Sequence, residues 1–334
     1  MSLVKNIKVP TGNICIVKGE KGLLEFVSVG DYGKEKNLKA DFLGLDREIN
    51  GVPHGDIISL EEKWVITIST QYGCSMDCKF CDVPKVGKGV NATYKDMIKQ
   101  VAEGLKLHPE ITATKRLNVH FARMGEPTFN QSVIDFACYI RGLIRPYIGR
   151  SLVHPVISTM LPKNNQKLFK FLNDWTIDIK NDMFRGDAGL QFSINSTDED
   201  QRQDMFSGNA LTLEEISEIG KDLIQPMGRK YALNFALADN YEVNAEKLRD
   251  LFNPDKFMVK ITPLHKTISC DENEIITTGG YEYFTPYQKV EQELKDCGFD
   301  VIVFVPSYEE DLGRITCGNA ILSGTMPECD YEIL

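Results

Sequence analysis

Three cysteines fall within eight residues, Cys74-Ser75-Met76-Asp77-Cys78-Lys79-Phe80-Cys81, at the spacing C-x₃-C-x₂-C. The thiolate is the metal-binding form of cysteine, and a [4Fe–4S] cluster takes four such ligands, so a loop supplying three leaves one iron open to a small molecule. A structural zinc site calls for a fourth ligand at finger-like spacing, a second C-x₂-C or an H-x₃₋₅-H pair, and neither follows downstream. A disulfide needs an oxidising compartment, and nothing at the N-terminus reads as a signal peptide. Ordinary buried thiols are the bland alternative, and they require three cysteines to cluster by chance. The pattern points to an open-iron cluster.

With Phe80 before the third cysteine, this spacing resembles the radical S-adenosylmethionine (SAM) enzymes. The longer stretches "TQYGCSMDCKFCDVPKVGKGVNAT" and "FARMGEPTFN" resemble the RlmN/Cfr-like adenine methyltransferases of large-subunit ribosomal RNA. The likeness covers roughly residues 55–322.

What the resemblance implies can be placed on this chain. Cys74, Cys78 and Cys81 would hold the cluster, with Phe80 at the cofactor. SAM would chelate the open iron through its amino and carboxylate groups and be cleaved to a 5′-deoxyadenosyl radical. Gly125-Glu126-Pro127 would lie along its methionine part, the Glu126 carboxylate accepting charge-assisted hydrogen bonds from the ammonium. Ser158, Ser193, Asn195 and His265 match contacts to the ribose and carboxylate, with Asn195 where the family has histidine and His265 where it has asparagine. Cys317 in "DLGRITCGN" resembles the cysteine that takes a methyl group from one SAM and presents it to the radical made from a second. Its methylene radical would then add to an electron-poor sp² carbon such as one in adenine. Taken alone, Gly-Glu-Pro is a common turn, the Ser, Asn and His residues are loop polar groups, and Cys317 is a thiol like Cys138 and Cys297, which are read as ordinary buried ones.

The chain departs from that family in three ways. Thr67 stands seven residues before Cys74, where the family has a second cysteine that releases product by disulfide formation; a hydroxyl cannot form that bond. The segment Pro53-His54-Gly55-Asp56 lacks the family's proton-accepting glutamate. Residues 1–63 lack the long 3.6-residue period of a helical RNA-binding extension. A formal net charge of −10 opposes a large nucleic-acid footprint as well, because phosphate binding depends on clustered Lys and Arg. Lys79, Lys85 and Lys88 do gather positive charge beside the cysteine loop. Together these features argue against ribosomal RNA and favour a nucleobase-containing or other small substrate, with a flavodoxin or ferredoxin as electron donor. Two other readings stand beside methyl transfer: direct hydrogen abstraction from a small molecule without methyl-cysteine, and a non-enzymatic iron–sulfur binding or sensing protein.

The elements that must position these groups read as α/β: a partial (β/α)₆ TIM-like barrel over 64–334, preceded by a small β extension over 1–63 and closed by a C-terminal strand and loop. Strand-like runs at 64–70, 117–122, 153–159, 190–195, 231–237 and 257–262 alternate with helical stretches. Barrels of this kind carry functional groups at the carboxyl ends of their strands, which is where the cysteine loop and Gly125-Glu126-Pro127 fall. Thr212 and Glu215 make a capping-box pattern, and Thr285-Pro286 start a helix that Gly298 stops. Trp175-Thr176-Ile177-Asp178-Ile179 alternates like an extra edge strand, 300–305 reads as the last strand, and Ser307 to Ile321 as a polar loop. No apolar run reaches a membrane span, and nine cysteines without a targeting segment fit a reducing cytoplasm.

Overall fold

The computed structural model describes residues 3–30, 59–277, 285–304 and 308–334. Strands β1 (Leu3–Val9), β2 (Gly12–Lys18) and β3 (Leu23–Val29) form an antiparallel meander, and β3 pairs antiparallel with β4 (Trp64–Ile68). A two-stranded ribbon of β5 (Gln71–Gly73) and β6 (Lys88–Asn91) brackets the cysteine loop. From β4 the sheet continues in parallel through β7 (Leu117–Phe121), β8 (Val153–Thr159), β9 (Gly189–Ser193), β10 (Tyr231–Leu237), β11 (Phe257–Pro263) and β12 (Val301–Val303). The short β13 (Glu332–Ile333) pairs back on β1, so β12 and β13 are the two ends of one mixed sheet.

The parallel part follows from its side-chain alternation. Leu117, Val119 and Phe121 are fully buried and pack toward the helices Tyr94–Lys106 and Ser132–Ile148, Phe121 meeting Phe136 edge-on at 5.9 Å. Their neighbours Asn118 and His120 turn to the opposite, helix-free face. The same division repeats on β10, where Leu233 and Phe235 are buried and Asn234 is half-buried, and on β11, where Val259 and Ile261 flank the half-buried Lys260. The helix-free face curls on itself: Lys260 on β11 is among the charges that act on His120 on β7, although a flat sheet would separate strands four places apart by about 19 Å.

The six strands expected from the sequence are present within a few residues of their predicted limits, and 300–305 is represented by β12. Thr212 and Glu215 exchange the expected capping bonds, at 3.2 and 2.8 Å. The helix Thr285–Asp296 ends before Gly298, which takes a positive φ, while the side chains at its start lie outside the described residues.

Three expectations are corrected. Trp175–Ile179 is no edge strand: the helix Leu168–Asp174 runs on as a wider π-type helical stretch over Trp175–Met183. Trp175, Thr176, Ile179 and Lys180 are buried while Ile177 is exposed, so the true period is helical and the alternation of large apolar residues was incidental. Trp175 packs on Phe121 and donates its indole N–H to Gly189 O at 3.1 Å. The C-terminal segment is not simply a polar loop, since Tyr308–Leu312 is helical and Ile315, Thr316, Asn319 and Ala320 are buried. Cys138 is exposed, and Cys297, one residue past the helix Thr285–Asp296, is half-buried against the core.

Candidate functional site

The cysteine loop leaves the end of β5 and is anchored at both ends. Cys74 N–H donates to Gly87 O at 3.0 Å, Cys81 N–H to Cys78 O at 3.1 Å, and Lys79 N–H to Met205 O at 2.9 Å. Gly73 and Gly89, both at positive φ, let the two ribbon strands meet backbone to backbone: a Cβ on Gly73 would stand 2.1 Å from Gly87 O. The three thiols are near enough for their charges to act on one another. Burial raises the pKa of each, Cys74 to about 11, and charge on Cys81 and Cys74 pushes Cys78 further, with Cys74 acting on Cys81 in turn. Protein alone therefore disfavours three thiolates here, and a cationic metal centre would reverse that preference. Among the described residues no three His, Cys, Asp or Glu side chains converge on a single ion. Three neighbouring thiols directly after a strand are chemically suited to separate irons of one cluster.

The Gly125-Glu126-Pro127 turn sits against this loop through one side chain the sequence did not single out. Gln71 accepts from Glu126 N–H at 3.0 Å and Ser75 N–H at 3.1 Å, and its amide donates to Asn91 Oδ1 at 2.8 Å. Gly125 has φ +97°, and a Cβ there would lie 2.5 Å from Gln71 Cβ, so only glycine lets Gln71 approach. Glu126, 2% exposed, accepts from Thr128 N–H at 3.0 Å, Thr128 Oγ1 at 2.7 Å and Met160 N–H at 2.9 Å. Burial raises its pKa in spite of these donors. Its charge reaches Cys74 and Cys78, so the carboxylate borders the thiol triad while holding the turns after β7 and β8 together. Asn130 closes the same corner by donating to Thr70 O and Ala92 O, both at 2.8 Å.

Cys317 reaches this corner from the far end of the chain. Gly318 O accepts from Asp82 N–H, one residue past Cys81, at 2.8 Å, and Cys317 and Cys81 are close enough to influence each other's charge. Cys317 keeps solvent exposure, while the protein around it raises the thiol pKa through burial against the opposing pull of Lys260 and Arg123. The loop is held by a buried ion pair. Arg123, just beyond β7, meets Glu25 of β3, with Nε donating to Glu25 Oε1 at 2.9 Å. Its other nitrogens donate to Thr316 O at 2.9 Å and Arg314 O at 2.8 Å, and Glu25 Oε2 accepts from Leu322 N–H at 3.0 Å. Both side chains are essentially excluded from solvent, at 1% and 0%. Glu25 carries no motif and Arg123 only sits within the stretch 121–130, so the folded chain alone brings them together.

The remaining predicted residues line the carboxyl ends of later strands. His265 Nδ1 lies 3.0 Å from Asp311, which also accepts from Lys266 N–H at 2.8 Å and Thr316 Oγ1 at 2.6 Å, so His265 is tied to the Cys317 segment. Ser158 and Ser193 are half-buried on the helix-free face. Asn195 is 2% exposed at φ +62°, with Oδ1 accepting from Ala236 N–H at 3.0 Å, which makes it a brace between β9 and β10. Phe80 stacks edge-on with Phe206 at 5.9 Å, and its carbonyl accepts from Thr267 Oγ1 at 2.9 Å. Thr67 pairs in register with His120, on the helix-free face. Pro53 to Asp56 lie outside the described residues.

Two of the three rim lysines are neutralised. Lys79 pairs with Asp204, and Lys85 with Glu272 at 2.8 Å and Asp82 at 3.5 Å.

No protein-family model matches the chain. Its fold is that of a radical SAM methyltransferase structure: the crystal structure of one from Sphaerobacter thermophilus superposes with TM-score 0.60 at 18% identity, covering 91% of this chain and 77% of that one. In sequence the chain is similar to the dual-specificity RNA methyltransferase RlmN of Sulfurovum sp. (strain NBC37-1), 34% identical over 74 residues, 22% of this chain and 20% of the relative. It is also similar to the probable RlmN of Pseudothermotoga lettingae, 25% identical over 247 residues, 69% of this chain and 66% of the relative. The ribosomal RNA large subunit methyltransferase N of Nitrosopumilus maritimus is 26% identical over 207 residues, 60% of this chain and 55% of the relative. The chain thus spans from about a fifth to just under two thirds of these relatives. The chain is similar in sequence to RlmN methyltransferases and in fold to a radical SAM methyltransferase structure. No helix among the described residues is long and apolar enough to cross a membrane.

Proposed function

We propose that this protein is a radical SAM enzyme in which Cys74, Cys78 and Cys81 hold a [4Fe–4S] cluster and Cys317 carries a methyl group destined for an sp² carbon of a small, unsaturated substrate. The observation that carries this reading is the docking of the Cys317 loop on the cluster loop through Gly318 O and Asp82 N–H at 2.8 Å. When bound, the cluster and SAM supply a 5′-deoxyadenosyl radical. Glu126 and Gln71 fix the turn along which the methionine part of SAM would lie, with Gly125 allowing close approach. Lys260 and Arg123 oppose the rise that burial imposes on the Cys317 thiol pKa, and with SAM bound the sulfur would take the sulfonium methyl, releasing S-adenosylhomocysteine and passing the thiol proton to solvent. Arg123 and Glu25 hold the carrier in place.

Mass spectrometry of protein made in cells should find one added methyl on the Cys317 peptide; an unmodified thiol in cluster-loaded protein would reject methyl transfer. Thr67 favours the second reading, in which the radical takes hydrogen directly from substrate, because a hydroxyl there cannot release a cysteine-bound product. Under that reading Cys317→Ala would still consume substrate. Electron delivery by a flavodoxin or ferredoxin belongs to either reading.

A further inference from the structure

The helix-free face of the sheet carries cations that form no ion pair among the described residues, in a chain whose formal net charge is −10. Lys260 points from β11 into this face, in register with Asn234 of β10, which is itself in register with Ser193 of β9. Arg229, just before β10, and Arg116, just before β7, lie at the amino end of the strands, and their charges act on each other and on His120. The Lys260 charge acts on His120 from one side and on Cys317 from the other. Among the described residues none of Lys260, Arg229 and Arg116 forms an ion pair within 4.0 Å. Arg116 donates to the neutral Asn118 Oδ1 at 3.0 Å, and the nearby carboxylate, Asp187, stops short of pairing with Arg116 or Arg229. Rim lysines behave oppositely, since Lys79 and Lys85 are paired.

One further polar atom on this face, Asn234 Oδ1, is buried without a hydrogen bond among the described residues. A buried polar atom left unpaired is costly, and cations held together without counter-charge repel, so both features are relieved by a polar anionic occupant. His120 works in the same direction. Burial and its cationic neighbours depress its pKa to about 3, and a bound anion would compensate that repulsion.

We propose that this face is the substrate chamber and that the substrate is a small anion, its phosphate or carboxylate seated among Lys260, Arg229 and Arg116 and its reacting carbon turned toward Cys317. A polymer such as RNA would meet its cations at the rim, where two of the three lysines are already paired, whereas a small anion needs only the cations of this face. That the anion is substrate rests on the function proposed above, while the anion site stands independently of it.

The test is calorimetric titration of the full-length protein with inorganic phosphate, and separately with acetate, at constant ionic strength. Saturable binding of phosphate, of acetate or of both supports the proposal and tells which anionic group fits. Lys260→Gln and Arg229→Gln should weaken that binding about tenfold or more, Lys260→Arg should restore much of it, and the surface control Lys289→Gln should leave it unchanged. Should the Gln variants fail to fold, the His120 ring resonances of unmodified protein give the answer, moving with phosphate if the site exists. Absence of saturable binding of either anion, or binding insensitive to both charges and silent at His120, overturns it. Protein that binds phosphate here but never cleaves SAM after reduction would overturn the radical reading and leave the anion site standing; cleavage without anion binding would do the reverse.

Discussion

The two sides of the reactive corner are built by different physics. The cysteine-loop side is local and mostly neutral: Gln71, Asn91 and Asn130 knit β5, β6 and the Gly125-Glu126-Pro127 turn with amide hydrogen bonds between residues no more than 60 positions apart. The Cys317 side is ionic and long-range, with Arg123 reaching 98 positions back to Glu25 and 193 forward to Thr316, and Glu25 reaching 297 positions to Leu322. That amide network can form as soon as the hairpin and turn are in place, while the cysteine loop itself is also tied forward to Met205 and Thr267. The Cys317 loop can be held only after β3, β7 and the last segment have assembled. The N-terminal meander is therefore a part of the reactive corner, since one of its strands supplies the counter-charge that locks the C-terminal cysteine.

This difference can be broken from either side. The largest effect is expected from Cys81→Ala, which removes a ligand on the local side: iron content and SAM cleavage should fall to background, measured by iron assay and by chromatography of the nucleoside product. Next comes Arg123→Met on the ionic side, which strands Glu25 in the core and should cost about 3–5 kcal/mol in urea unfolding. Replacing Glu25 by Met in the same chain should recover much of that loss, because a buried pair exchanged for apolar groups is nearly neutral, and a loss that persists would deny the pair its place. The neutral network should respond more mildly. Gln71→Leu leaves the Ser75 and Glu126 amides without an acceptor and should destabilise by about 1–3 kcal/mol, together with faster iron loss on chelation.

A smaller effect separates the chamber from both sides. His120 in the folded protein has its pKa lowered from 6.5 to about 3, so the folded state binds fewer protons than the unfolded chain between those values. Its contribution to stability is whole above pH 6.5 and drains away as pH falls toward 3. Urea midpoints measured from pH 7 to pH 5 should therefore decline in the parent protein and decline less in His120→Asn. The smallest change is Cys138→Ala, an exposed thiol remote from both sides, expected within about 0.5 kcal/mol of the parent.

Those contrasts also explain what could be read from the sequence. The cysteine loop, its preceding strand and the glycine-rich turn were legible because each is a short stretch whose spacing carries its geometry. The strand order over 64–262 was legible for the same reason, as alternating periods of two and 3.6. Trp175–Ile179 was misread because a five-residue window of Trp, Ile and Ile fits either period, and only the burial of Thr176 and Lys180 beside an exposed Ile177 separates them. Cys317 showed in its local motif, and Arg123 and Asp311 sit inside the stretches that carry the resemblance, but their pairing with Glu25 and His265 did not show, since an ion pair between distant segments leaves no local pattern. The cations of the helix-free face were hidden too: no local pattern marks Lys260 or Arg229, and only the fold brings their charges onto one another.

The most direct test is anaerobic protein with a full iron complement, reduced with dithionite in the presence of SAM. The expected result is 5′-deoxyadenosine, formed by the parent protein and absent from Cys81→Ala. Intact SAM after reduction of the cluster-loaded parent, or equal product from the variant, would contradict the assignment of Cys74, Cys78 and Cys81 as holders of an open-iron cluster.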